Sequence, residues 1–163
     1  MKRSLFVILG LSLILVVFST TGYSQKLAMD GKFGLSILSG NGNSSTGILF
    51  GGALDIPLNP NLFIRPEFNL TTHSGTPIEM AGVIKYNIPT TGYSTTFYVD
   101  GGMGLWFSSG GPYLGLDFGG GALFPLSGSN LKIPAEIRLG PIFATGATVF
   151  QIALTSGVRF NLP

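Results

Sequence analysis

Cysteine is absent from the 163 residues. That excludes disulfide staples, thiolate metal sites and a lipid-modified N-terminal cysteine. Charge is scarce: Asp, Glu, Lys and Arg make up 10% of the chain, against about 25% in a soluble domain. An apolar fraction of 45% with so little charge does not describe a disordered chain. A single histidine without cysteine leaves too few ligands for a zinc site. A net charge of +2 gives no ground for a nucleic-acid partner. Nothing in the chain implies a cofactor. After Ser24 there is no apolar run long enough for a membrane helix, and no apolar spacing at i, i+3, i+4.

The N-terminus carries an address. Met1, Lys2 and Arg3 are followed by Leu5 to Phe18, apolar except for Gly10 and Ser12, and then by small and polar residues to Ser24. Basic, apolar, then small is the order of a secretory signal peptide. The apolar core of 14 residues falls short of the ~20 that a spanning helix needs. Residues 1–24 are therefore expected to be a cleaved signal peptide and residues 25–163 the mature domain. Removal of Lys2 and Arg3 leaves seven basic and seven acidic residues.

The mature chain alternates with period two, the mark of strands with two unlike faces. Eight such stretches are expected: Lys26–Leu38, Gly47–Ile56, Leu62–Thr71, Ile78–Ile88, Thr96–Phe107, Tyr113–Leu126, Leu131–Phe143 and Thr148–Leu162. The connections between them are rich in Gly, Pro, Asn and Ser, which reach turn dihedrals cheaply. Among them are Gly40–Thr46, His73–Pro77, Ser108–Pro112 and Ala144–Gly146. Connections this short predict that each strand pairs antiparallel with the next.

The charges decide the solvent. In every stretch they occupy the face opposite the large Leu, Ile and Phe side chains, on the side rich in Gly, Ala and Ser. Eight strands closed on themselves leave an interior just wide enough for side chains. The small and charged face suits that narrow interior, and the bulky apolar face must then look outward. This predicts an all-β fold: an eight-stranded antiparallel up-and-down transmembrane β-barrel with a polar filling. Aromatic residues mark both rims of the outward face, with Tyr86, Phe97, Phe124 and Phe160 at one and Phe107, Phe143 and Phe150 at the other.

The candidate lumen charges are Asp55, Arg65, Glu67, Lys85, Asp100, Asp117, Glu136, Arg138 and Arg159. Their expected role is structural, a plug of mutually neutralising groups, because an unpaired charge in a narrow bore is costly. Pairing across the turns puts Asp55 near Arg65 and Lys85 beside Tyr98 and close to Asp100. It also brings Glu67 towards Lys85. Four prolines, Pro66, Pro125, Pro134 and Pro141, fall inside the expected strands, although proline donates no ladder hydrogen bond. Three of them lie on strands six and seven, so a lateral seam there is one expectation.

His73-Ser74 with Glu79 nearby admits a hydrolase reading, but adjacent residues on an extended chain point to opposite sides, and a nucleophile needs its base within reach. Gly101-Gly102-Met103-Gly104 and Gly119-Gly120-Gly121 are not phosphate loops, since no helix follows them.

The segments Phe97-Tyr98-Val99-Asp100-Gly101-Gly102-Met103-Gly104, Pro112-Tyr113-Leu114-Gly115-Leu116 and Gly157-Val158-Arg159-Phe160-Asn161-Leu162 resemble the small outer-membrane β-barrel proteins of Gram-negative bacteria, the OmpA/OmpX-like class. The resemblance covers essentially the whole mature chain. It implies residence in the bacterial outer membrane, an N-terminus in the periplasm and Gly40–Thr46 as the first outer loop. Implied partners are outer-membrane lipid and lipopolysaccharide, and the outer-membrane insertion machinery. The expected function is non-enzymatic, supporting envelope integrity or surface contacts. The alternatives are a lipid-modifying barrel enzyme and a soluble periplasmic barrel that binds a small apolar ligand.

Overall fold

A computed structural model describes residues 27–40, 42–108, 110–144 and 146–162. The expected signal peptide lies outside the described residues. Eight strands follow one another: β1 (Ala28–Gly40), β2 (Asn43–Pro57), β3 (Leu62–Thr71), β4 (Ile78–Ile88), β5 (Thr96–Ser108), β6 (Gly111–Pro125), β7 (Leu131–Ala144) and β8 (Ala147–Asn161). Each pairs antiparallel with its neighbour, and β8 pairs with β1 to close the barrel. Closure satisfies the edge backbone groups that an open sheet would leave bare.

Alternation places the expected strands well. β3 and β4 have the bounds read from the sequence, and the others shift by one to four residues. The correction lies at the end of the barrel away from the chain termini, which we call the far end. Gly40–Thr46 is not a loop. Pairing runs on through Ser39–Ser44 to Gly40–Asn43, so β2 begins at Asn43. Ser108 likewise pairs with Gly111, and Ala144 with Ala147. Two-residue hairpin turns favour positive φ, and Gly42 and Gly146 supply it at 78° and 79°. Small polar residues read as loop from composition, yet their backbones complete the ladder as well as any others.

The faces are inverted relative to a soluble domain. Phe118, Ile137 and Leu154 point outward and are 52%, 49% and 49% exposed, whereas Arg138 is 3% exposed inside. On β3 the buried positions are Phe63, Arg65, Glu67, Asn69 and Thr71, and Pro66, Phe68 and Leu70 are exposed. The seven rim aromatics named from the sequence are all exposed, four near the chain-terminal end and three near the far end.

Three of the four prolines coincide with a gap in one ladder each. β2–β3 pairing jumps from Ala53–Glu67 to Ile56–Ile64, passing Pro66. β6–β7 pairing jumps from Gly115–Ile142 to Phe118–Leu139, passing Pro141. β7–β8 pairing jumps from Lys132–Arg159 to Ala135–Ser156, passing Pro134. Pro125 sits at the end of β6, opposite Lys132. Pairing resumes on both sides of every gap, so the β6–β7 seam expected from these prolines is a two-residue interruption in an otherwise continuous wall.

Candidate functional site

Period-two alternation brings the side chains with chemistry into the lumen. Asp55, Arg65, Glu67, Lys85, Asp100, Asp117, Glu136, Arg138 and Arg159 are all buried there, together with Asp30, Lys32 and Glu79. Two clusters form. In the first, Arg159 reaches Asp30 at 3.1 Å and Asp55 at 2.7 Å, and Lys85 Nζ donates to Asp55 at 2.7 Å. Arg65 adds contacts to Asp30 at 3.0 Å and Asp55 at 3.6 Å. In the second, Glu67 receives Lys32 at 2.6 Å and both terminal nitrogens of Arg138. Arg138 also lies 3.3 Å from Asp100 and 3.2 Å from Glu136.

Arg65 links the clusters, since its guanidinium also lies 2.7 Å from Glu67 and 3.2 Å from Glu136. Tyr98 forms the floor between them. Its hydroxyl donates to Glu136 at 2.8 Å, and its ring lies 4.1 Å from Lys85 Nζ, a cation–π distance. Gly121 makes room for this ring, because a Cβ there would press on the Tyr98 hydroxyl.

Of the pairings inferred across the turns, that of Lys85 holds in register and that of Glu67 needs correction. Lys85 is opposite Asp100 in the β4–β5 register, but its ammonium goes to Asp55. Glu67 does not meet Lys85 and instead takes Lys32 and Arg138 from β1 and β7. Turn-centred reasoning sees only adjacent strands, whereas in a narrow closed barrel opposite walls are also in reach. The lumen charges left out of the candidate set, Asp30, Lys32 and Glu79, share the parity of the others, and that parity was the signal that could have found them.

Glu79 and Asp117 stand apart. Among the described residues, every other buried carboxylate has an ion-pair partner, and these two have none. Glu79 accepts from Asn69 Nδ2 at 2.8 Å. Its Oε1 and Asp117 Oδ2 border the bare face of Gly104, 3.1 and 3.2 Å from where a Cβ would sit, and neither has a donor.

The charges are also sorted along the axis. Counted from the chain-terminal end of each strand, Lys132 is second, Asp30, Asp55 and Arg159 third, and Arg65 and Lys85 fourth. Asp100 and Lys32 are fifth, Glu67 and Glu136 sixth, Arg138 eighth, Asp117 ninth and Glu79 tenth. The chain-terminal end is therefore rich in cations and the far half rich in carboxylates.

At the far end the β3–β4 connection folds over the mouth. Thr72 bonds Ile48 through both backbone and hydroxyl. His73 is buried between two serines, with Nδ1 3.1 Å from Ser45 Oγ and Nε2 3.2 Å from Ser36 Oγ. Burial holds this imidazole below its ordinary pKa, against a backbone hydrogen bond with Ser36 that raises it. Neither Ser74 nor Glu79 is hydrogen-bonded to the ring, so the His73-Ser74-Glu79 constellation is not assembled. A cavity of about 200 Å³ lies beside it, bordered by Ser45, His73, Trp106 and Tyr113. The void at the centre of the bore, between Lys32, Glu79 and Arg138, is about 10 Å³, which is room for a single water.

No protein-family model matches the sequence, and no curated protein matches it. Solved structures do match its fold. Neisserial surface protein A superposes with a TM-score of 0.70 at 15% identity, over 83% of this chain and 97% of that one. The N-terminal β-barrel domain of Pseudomonas aeruginosa OprF gives 0.61 at 14% identity, over 83% and 98%. The chain thus shares the fold of these small outer-membrane β-barrels.

Proposed function

We propose that this chain is a transmembrane β-barrel of the Gram-negative outer membrane, exported by a signal peptide cleaved near residue 24. In this reading its N-terminus lies in the periplasm, and it serves envelope integrity or surface contacts without catalysis. The observation that carries the reading is the inversion of its faces. An unbroken apolar belt circles a closed barrel, far beyond the few hundred Å² of apolar patch that soluble monomers expose. Strands of 10 to 15 residues meet the ~9–11 that a tilted strand needs to cross a bilayer. Outer-membrane lipid and lipopolysaccharide are the partners such a belt would contact, and the insertion machinery is the partner that would deliver it.

The ion-paired interior supports the role of a structural plug rather than of a general porin, since the void between Lys32, Glu79 and Arg138 is only about 10 Å³, about the space of one water. The test is gel mobility of the outer-membrane fraction with and without boiling. A folded barrel is expected to migrate as one species cold and to shift when heated. Recovery of the folded protein from a detergent-free soluble fraction would refute the membrane reading in favour of a periplasmic ligand carrier.

A second reading, a lipid-ester hydrolase at the far rim, has the Ser45–His73 hydrogen bond and the adjoining cavity behind it. The group orienting the imidazole is then the Ser36 hydroxyl rather than a carboxylate. Lipid acyl content that changes with the gene, and fails to change with Ser45→Ala, would favour this reading over the first.

A further inference from the structure

The chain-terminal mouth of the lumen opens into a polar cavity of about 370 Å³ bordered by Asn87, Thr96, Asn130, Lys132, Arg159 and Asn161. Lys132 and Arg159 are register partners on β7 and β8, so their cationic heads enter the cavity from neighbouring strands. Arg159 is already committed to Asp30 and Asp55. Lys132 makes no ion pair among the described residues, although it is partly buried. The layer behind it adds to the imbalance. Arg159, Lys85 and Arg65 share only Asp30 and Asp55 as carboxylates of that layer. If Arg65 is assigned wholly to Glu67 and Glu136, three cations, Lys132 included, still face two carboxylates. A partly buried ammonium beside a second cation is unfavourable until an anion joins it. The amides of Asn87, Asn130 and Asn161 and the hydroxyl of Thr96 supply neutral donors around that position.

We propose that this mouth is a binding site for a small oxyanion, a carboxylate or a phosphate, with Lys132 as its direct ligand and Arg159 supplying the field behind it. The cavity is large enough for an anionic group carried on a larger molecule that stays outside the barrel. Its walls are polar and its depth is limited by the Arg159 cluster, so recognition is of the charged group rather than of an apolar tail. The site lies in the lumen mouth and does not depend on whether the outer wall meets lipid. Failure of the membrane reading would therefore leave it intact, and the reverse also holds.

The test uses the full mature chain folded in a maltoside detergent. Inorganic phosphate is titrated by ³¹P line broadening and acetate by ¹H line broadening, each at constant ionic strength made up with chloride. Saturable binding of either probe is expected, at least tenfold weaker in Lys132→Gln and retained within about threefold in Lys132→Arg. The two probes distinguish the sources: stronger phosphate binding points to a phosphorylated group, and stronger acetate binding to a carboxylate. Lys132 takes part in no ion pair among the described residues, so the variants are expected to keep heat-modifiable gel mobility, which verifies folding. Equal responses in wild type and Lys132→Gln, or no saturable response above the chloride control, would overturn the proposal.

Discussion

Removing Arg138 tests the ionic interior directly. The residue is 3% exposed and its guanidinium lies against Glu67, Asp100 and Glu136. In Arg138→Met the volume is largely kept, but three desolvated carboxylates lose a shared cation. Lys32 and Arg65 remain for Glu67 and Glu136, whereas Asp100 keeps no ion-pair partner among the described residues. Breaking a buried pair from one side costs about 3–5 kcal/mol, because the remaining charge is stranded. The double variant Arg138→Met/Glu67→Gln removes one negative charge along with the positive one. It should recover at least about 1 kcal/mol relative to the sum of the single effects, the size expected for residues in direct contact. The assay is reversible urea unfolding in lipid vesicles, followed by fluorescence of Trp106, the chain's single tryptophan, which is buried in the lumen. If Arg138→Met unfolds within 1 kcal/mol of wild type, or the two substitutions simply add, the interior is not held by charge pairing.

Three further outcomes are expected. Met103 is 60% exposed at mid-strand, so Met103→Arg should cost about 2–4 kcal/mol in a bilayer, and an equally stable variant in vesicles would contradict an outward lipid face. His73 is held below its ordinary pKa by burial, so the folded state binds fewer protons than the unfolded state as pH falls through about 6.5. Its contribution is present above that pH and lost below it. Amide protection at residues 72–76 should accordingly drop between pH 7 and pH 5 in the wild type and stay flat in His73→Gln. Pro66 interrupts only the β2–β3 ladder, so Pro66→Val should restore one hydrogen bond and add about 0.5–1.5 kcal/mol, with slowed exchange of the new amide at position 66. Rapid exchange there would mean that the gap has another cause.

Strand identity, number and facing were legible in the sequence because the side-chain period in a strand is two and a one-residue slip would move every charge to the opposite face. The agreement of Arg65 with Glu67, and of Glu136 with Arg138, fixed parity without any tertiary information. Aromatic placement at the rims followed from the same count. The His73–Pro77 connection was read correctly, but the β1–β2 turn was misread because serine, asparagine and glycine mark loops by composition, while ladder pairing depends on the backbone and runs through Ser44 and Ser45 regardless.

What the tertiary structure alone decided is who meets whom across the bore. Glu67 with Lys32 and Arg138, Lys85 with Asp55, and Arg65 with Asp30 and Glu136 all join strands that are not hairpin neighbours. Such pairs depend on the diameter and stagger of the closed barrel, which are properties of the whole sheet. The sequence by itself determined that the charges share one face. Closure determined how they divide into partners, and among the described residues it brought no opposite charge within ion-pair distance of Glu79, Asp117 or Lys132.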